Sequence, residues 1–148
     1  PFALLSFAIL ETTVSFTAQQ VIGNATDKIA RQIRTGQLTV ANTTESQFRD
    51  RICDEISLIV GAGCPQLLFD LQNYSKFEDV PRSIPIGPDG DIDSSGFKYD
   101  PGGEETINSL RIFYRWPVMT DVMKPSMANL PNGNRLLFST ATWQNEPF

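Results

Sequence analysis

The sequence predicts an α+β fold, in which a long N-terminal membrane and amphipathic helix is joined to a small, mostly antiparallel sheet packed on helices. Two observations lead to this prediction. Residues 1–34 keep an apolar face at helical spacing, whereas residues 67–74 and 107–116 alternate as strands do. Because neither the helices nor the sheet can bury an apolar side alone, we expect the sheet to pack against the long helix.

The N-terminal helix is predicted from a change in its pattern. The first ten residues carry no charged side chain, and Glu11 then interrupts the apolar run. Beyond Glu11 the apolar residues recur every three or four positions: Val14, Ala18, Val21, Ile22, Ala25, Ile29 and Ile33. This change indicates a helix that leaves a membrane and continues in water as the spine of a globular domain. Two alternatives stay open, a buried core helix and the tail of a signal peptide.

The length of the apolar run bounds the membrane interpretation. A helix that crosses a bilayer needs about 20 apolar residues, whereas ten residues reach about 15 Å. We therefore expect further apolar residues upstream of Pro1, unless the helix does not cross. The predicted organisation is a membrane-anchoring and spine helix at residues 1–36, followed by an α+β head domain at residues 37–148.

Composition excludes several functions. The net charge of −5 argues against nucleic acid as a partner, because a phosphate backbone would be repelled. The chain has no histidine, which removes the commonest general base and most zinc sites. No convincing catalytic pair of carboxylates is present, so the sequence predicts a protein that is not an enzyme and that needs no cofactor.

The only two cysteines, Cys53 and Cys64, lie eleven residues apart around a Gly-rich bend. This spacing suits a disulfide that closes a short loop and does not suit a redox CxxC motif or a zinc site. Such a bond would place the head in an oxidising compartment, the periplasm or the cell exterior. Two free, buried thiols in a cytosolic protein are the alternative.

A second helix is predicted after the spine helix ends near Gly36. Thr44 and Gln47 have the spacing of a capping box, which marks a helix start. The apolar stripe of this helix is predicted to be Phe48, Ile52 and Ile56, with Ile59 as a further candidate. We expect the helix to end at residues 61–63, where two glycines flank an alanine.

Three strands are predicted in the remainder of the chain. Residues 67–74 form the first strand, and a Pro-, Gly-, Asp- and Ser-rich excursion follows at residues 78–105. In residues 107–116, the side chains predicted to share one face are Leu110, Ile112, Tyr114 and Trp116. A short helix broken at Pro125 and a turn at residues 131–134 lead to a last strand at residues 135–144.

Short motifs occur in a characteristic order along the whole chain. They are PFALLSFAILETT at residues 1–13, ARQIRTGQ at 30–37, Phe48 with Ile52-Cys53, Cys64 before a strand, Gly96-Phe97, PGG at 101–103, YRWP at 114–117, RLL at 135–137 and NEP at 145–147. Together they resemble TadE-like proteins of the bacterial tight-adherence pilus system, in the alphaproteobacterial branch. The family's basic leader and its Gly cleavage position are not in this sequence.

The resemblance implies a pilin-like minor subunit that crosses the bacterial inner membrane once and holds its head in the periplasm. Such subunits are often made as precursors that a prepilin peptidase trims. The implied partners are the lipid bilayer and other membrane protein subunits, which would be contacted through the N-terminal helix. Two other functions stay open: an accessory subunit of a different membrane complex, and a secreted calcium- or ligand-binding module.

Glu11, Thr12 and Ser15 are the predicted residues for helix–helix assembly. A carboxylate inside or at the edge of a membrane costs about 2.5–3.5 kcal/mol on insertion scales, so it usually has a partner. We expect Glu11 to accept a hydrogen bond from a cation or an N-terminal amine on a neighbouring helix. The alternative places Glu11 in the headgroup region facing water. Thr12 and Ser15 are small enough to allow close helix contact.

A weak calcium candidate lies in the excursion. Asp91, Asp93 and Ser95, with Gly96, match the opening positions of a calcium-binding loop. Position twelve, which requires a bidentate Glu, is Gly102, so an ordinary Asp- and Gly-rich turn is the favoured interpretation. The two tryptophans, residues 116 and 143, are expected in the core rather than on a binding surface.

Overall fold

The computed structural model covers residues 1–148 and consists of three helices and three strands. In chain order these are α1 (Phe2–Arg34), α2 (Glu45–Ile56), β1 (Leu67–Tyr74), β2 (Ile107–Pro117), α3 (Lys124–Met127) and β3 (Asn134–Gln144). Single 3₁₀ turns occupy Phe77–Asp79, Asp121–Met123 and Pro131–Gly133. The long helix with a small sheet and short helices confirms the predicted α+β class.

The sheet has the order β1-β2-β3, and both pairs of strands are antiparallel. At its centre Leu71 lies opposite Leu110, which in turn lies opposite Ala141. The alternation predicted for β2 is confirmed, since its even-numbered apolar side chains enter the main core and Phe113 enters a second cluster on the other face.

The main core forms where α1, α2 and the inner face of the sheet meet. From α1 it takes Ala18, Ile22, Ala25, Ile29, Ala30 and Ile33; from α2 it takes Phe48, Ile52 and Ile56. Each large aliphatic side chain buried in this way contributes about 1.5–3 kcal/mol. The rear part of α1 is thus the central helix of the head, whereas no residue of its first ten belongs to either apolar cluster.

The excursion between β1 and β2 covers the outer face of the sheet. Phe97 stacks on Phe113 with ring centroids 5.4 Å apart, and the Arg111 guanidinium lies 5.7 Å from the centre of each ring. Arg111 Nη2 also donates to Asp70 Oδ2 at 2.7 Å, and Asp70 Oδ1 accepts the Lys98 backbone N–H at 3.0 Å. This buried ion pair fastens the excursion, which otherwise has little regular structure, to the sheet.

The helix ends agree with the predictions in part. Both bonds of the Thr44–Gln47 capping box are present, and α1 ends at Arg34 before Gly36, which has a φ of +77°. A β-carbon at Gly36 would lie 2.6 Å from the Phe148 ring, so this glycine is needed for space as well as for backbone conformation.

Two predicted boundaries were wrong. Helix α2 ends at Ile56 and not at residues 61–63, because the Ser57 backbone N–H and hydroxyl both donate to the Asp54 carbonyl and close the last turn. Pro125 does not break a helix. It lies in the first turn of α3, where a missing backbone N–H costs nothing.

Candidate membrane and assembly site

The front of α1, residues 2–10, exposes apolar side chains to the surroundings. The exposed large hydrophobic residues at this end of the helix are Phe2, Leu4, Leu5, Phe7, Ile9 and Leu10, with Val14 and Phe16 one or two turns further on. A soluble monomer rarely exposes so continuous an apolar surface, which is typical of a membrane or protein contact. We call residues 2–10 the apolar segment.

Helix α1 is the single helix in this chain that is long and apolar enough to cross a membrane, as judged by length and composition. Only 17% of its most apolar 18-residue window is buried. A core helix of a soluble domain would be mostly buried over the same length. The structure therefore favours membrane anchoring over the alternative that this end of α1 is ordinary core.

Glu11 lies where the apolar segment ends, and it faces the chain's own head. The residue is 6% exposed. Its Oε1 accepts the Met119 backbone N–H at 2.7 Å, and its Oε2 accepts the Thr120 hydroxyl at 3.1 Å. Both oxygens thus have hydrogen-bond donors within the same chain, on the segment that follows β2. That Glu11 also contributes to assembly with a neighbouring helix stays a prediction.

The other two predicted assembly residues differ in burial. Ser15 is buried one turn after Glu11, and its hydroxyl has no hydrogen-bond partner. Thr12 is exposed and lines a shallow groove of about 450 Å³ beside Ala8 and Phe16. Of the three residues, Thr12 alone is exposed, so it is the one available to a second helix without rearrangement.

The groove beside Thr12 is more apolar than its sequence indicates. The Thr13 hydroxyl donates to the Ile9 carbonyl at 2.7 Å, and the Thr17 hydroxyl donates to the Thr13 carbonyl at 2.9 Å. Because these hydroxyls are satisfied on their own helix, their methyl groups are left to contact a neighbour. The surface therefore suits lipid or an apolar helix face.

The segment after β2 supplies residues that sequence reasoning missed. Met119 and Val122 are both exposed, and they lie on the segment that Glu11 binds through Met119 and Thr120. The sequence gives one indication of them: residues 118–123 are largely apolar, and they are predicted to belong to a short helix. No periodicity could have paired this segment with a residue more than 100 positions earlier.

The predicted disulfide is confirmed. Cys53 on α2 and Cys64 in the loop before β1 are bonded, with their α-carbons 5.8 Å apart. Arg49 reinforces the loop by donating to the Gly63 carbonyl at 3.1 Å and to the Cys64 carbonyl at 2.7 Å. A disulfide of this kind persists in oxidising compartments outside the cytoplasm.

One carboxylate oxygen of each aspartate in the calcium candidate has hydrogen-bond partners within the chain. Asp91 Oδ1 accepts from Arg115 Nε at 3.0 Å, and Asp93 Oδ1 accepts from the Ser95 hydroxyl at 2.6 Å. These hydrogen bonds hold the pKa of each aspartate below its usual value. No group of three or more His, Cys, Asp or Glu side chains lies close enough together to hold a metal ion.

Both tryptophans belong to the main core rather than to a binding surface. Trp143 Nε1 donates to Asn145 Oδ1 at 2.7 Å, whereas Trp116 Nε1 is buried without a partner. The exposed candidate surface of this chain is therefore the front of α1 together with the segment after β2.

Comparisons with protein-family models, curated proteins and solved structures find no match to the chain.

Proposed function

We propose that this chain is a non-enzymatic, single-pass, membrane-anchored subunit of the TadE-like, pilin-like kind, which assembles with other membrane proteins in tight-adherence pilus biogenesis. The single observation that carries the membrane part is the apolar segment, which is exposed and outside both apolar clusters. The ordered motifs along the sequence support the family. The lipid bilayer and neighbouring subunits are the proposed partners.

The division of α1 supports a membrane anchor that is rigidly joined to a head. Its front exposes apolar side chains, and its rear buries one face in the main core. An uninterrupted helix transmits position between the two, since its residues rise about 1.5 Å each and bend little. In this proposal the apolar segment lies in lipid and Glu11 lies at the membrane surface.

The proposed location is the bacterial inner membrane, with the head in the periplasm. The Cys53–Cys64 disulfide supports an oxidising environment for the head. The Glu11 carboxylate supports a position near the membrane surface, because its hydrogen bonds to the head would be unavailable if this turn lay deep in lipid.

Fractionation of cells that produce the chain tests the anchor. We expect the protein in the membrane fraction, resistant to carbonate washing and released by detergent. A matched variant with Leu5→Glu and Ile9→Glu should move largely to the soluble fraction, because each charge within the bilayer is costly. A wild-type chain that is soluble and monomeric without detergent would refute the membrane anchor.

Co-purification from native membranes tests which assembly the chain joins. A pilus subunit should be recovered with pilus proteins, whereas an accessory subunit of another complex should be recovered with that complex. Substitution of Thr12 by Phe should weaken either association, because it enlarges the one predicted assembly residue that is exposed. Association that is unchanged in this variant would place the contact elsewhere.

A further inference from the structure

The outer edge of β3 is the feature from which this inference begins. The backbone groups of Leu71 on β1 bond outward to residues 98 and 100, so its partner Leu110 on β2 directs its backbone groups toward β3. Leu110 lies opposite Ala141, so the odd-numbered residues of β3 direct their backbone groups toward β2. Because the direction of backbone groups alternates along a strand, the even-numbered residues of β3 direct their N–H and C=O groups away from the sheet. They are Leu136, Phe138, Thr140 and Thr142, with Asn134 and Gln144 at the ends.

Side chains cover the first part of this edge. Leu136 donates its N–H to Asn129 Oδ1 at 2.7 Å. The Gln19 amide, on α1, pairs with both backbone groups of Phe138: Nε2 lies 2.5 Å from the carbonyl oxygen, and Oε1 lies 3.3 Å from the nitrogen. A carboxamide placed in this way imitates the backbone of an added strand.

The next part of the edge is open. No hydrogen bond is made by the backbone N–H or C=O of Thr140 or Thr142 on this side, and both residues are exposed. An open strand edge is a template for another extended chain, and proteins usually cover or charge such edges. Along β3, the two covered residues, Leu136 and Phe138, are thus followed directly by two uncovered outward-directed residues, Thr140 and Thr142.

The surroundings of the open edge indicate the chemistry of an occupant. On the outer face, Thr140 and Thr142 line a groove of about 390 Å³ with Phe77, Val80 and Arg82. On the other side, Thr142 lines a second groove of about 320 Å³ with Asp27 and Arg31. Neither of these two arginines forms an ion pair, whereas Arg34 nearby is engaged by Glu146.

We propose that the open edge at Thr140 and Thr142 binds an extended, acidic segment of a partner protein as a fourth strand. Backbone hydrogen bonds to these residues would supply affinity, and alternate side chains would supply specificity. An apolar side chain of the segment enters the groove beside Phe77 and Val80, and carboxylates contact Arg82 and Arg31.

A second copy of this chain fits the edge less well than an acidic segment. Pairing of two β3 edges would bring the Arg82 side chains of both copies to the same face, and like charges held together oppose association. The inference concerns the head alone. It would stand or fail independently of the membrane anchor.

The test uses the full chain in nonionic detergent and two peptides of about eight residues, each with one central Val flanked on both sides by Glu only or by Lys only, so that charged side chains reach both faces of the edge. We expect the Glu peptide to bind and the Lys peptide not to bind. Thr142→Pro removes the outward N–H and leaves the β2 ladder intact, so it should weaken binding of the Glu peptide about tenfold. The matched control Thr142→Val keeps the N–H and should bind normally.

A charge exchange gives a second measurement that does not depend on backbone substitution. The double variant Arg82→Glu with Arg31→Glu should lose the Glu peptide and gain the Lys peptide. Equal binding of the Glu peptide by wild type and Thr142→Pro would overturn the proposal, as would the absence of binding to wild type. Self-association of the wild type that Thr142→Pro abolishes would also overturn it, in favour of a second copy.

Discussion

Glu11 and Met119 are joined by a hydrogen bond of 2.7 Å between the carboxylate of the helix and the backbone N–H of the segment that follows β2. This contact lies at the boundary between two parts of α1. Before Glu11 the helix is exposed and apolar, and after it one face is buried in the head. The bond therefore fixes the position along α1 at which the head first contacts the helix.

Removal of this carboxylate should loosen the segment after β2. Glu11→Ala leaves the Met119 N–H without its acceptor, and loss of a typical hydrogen bond costs about 0.5–1.5 kcal/mol. Glu11→Gln keeps one carbonyl acceptor and is the matched control, expected to cost less. Limited proteolysis within residues 119–127 and thermal unfolding measure the two effects. Equal behaviour of Ala and Gln variants would show that the hydrogen bonds are unimportant.

Removal of one partner of the buried Asp70–Arg111 ion pair should strongly destabilise the head. The side chain of Asp70 is 1% exposed and that of Arg111 is 11% exposed. Asp70→Asn leaves the guanidinium buried without its counter-charge, which costs about 3–5 kcal/mol in comparable pairs. Urea unfolding with the disulfide intact measures this loss.

The Lys76–Glu78 pair is the control for that experiment. Both of its side chains are at least 70% exposed, so Glu78→Gln should change stability by less than about 0.5 kcal/mol. If the two substitutions proved equally mild, the Asp70 pair would have no special part in holding the excursion to the sheet.

Loss of the disulfide should destabilise the head without altering its fold. Cys53 and Cys64 close a short loop, and the double variant Cys53→Ser with Cys64→Ser should lose about 2–3 kcal/mol. Chemical reduction of the wild type is the matched comparison and should lower the urea midpoint to a similar extent. A midpoint that does not move on reduction would contradict this expectation.

Acid should break the Asp91–Arg115 ion pair. The hydrogen bond from Arg115 lowers the pKa of Asp91 in the folded chain, so the pair stabilises the fold above the unfolded pKa of about 3.9. This contribution is lost as the pH falls through the lower, folded pKa. Asp91→Asn should therefore be less stable than wild type at neutral pH and converge with it as the pH falls through the lowered pKa of Asp91.

Urea unfolding of both proteins across the acid range measures the convergence. Arg115→Gln, which removes the guanidinium charge instead of the carboxylate, should lose the same pH-dependent contribution. A stability gap between wild type and Asp91→Asn that stayed constant with pH would show that ionisation of Asp91 is not its source.

Local patterns in the sequence were enough to predict the elements and their buried faces. The alternation from Leu110 to Trp116 gives the inner face of β2 because strand periodicity is fixed by backbone geometry. The Thr44–Gln47 spacing gives the start of α2 because a capping box needs only residues three apart. The disulfide followed from a count of two cysteines at a suitable spacing.

Contacts between distant residues were not predictable in this way. Glu11 was singled out by its charge, yet its partners lie on a segment more than 100 residues later, and no local rule pairs them. Asp70 interrupts an apolar strand and is buried there because Arg111 compensates its charge across the sheet. In each case the tertiary fold, and not local propensity, decides what the polar group contacts.

The central claim is that the front of α1 lies in lipid while its rear supports the head, and depth-dependent fluorescence quenching tests it most directly. The emission added by Leu5→Trp and by Val40→Trp, each measured as the difference from the wild type with its two native tryptophans, is compared in vesicles that contain brominated lipids; both sites are exposed, but Val40 belongs to the head. We predict strong quenching and a blue shift for residue 5 alone. Unquenched, water-like emission from residue 5 would contradict the account.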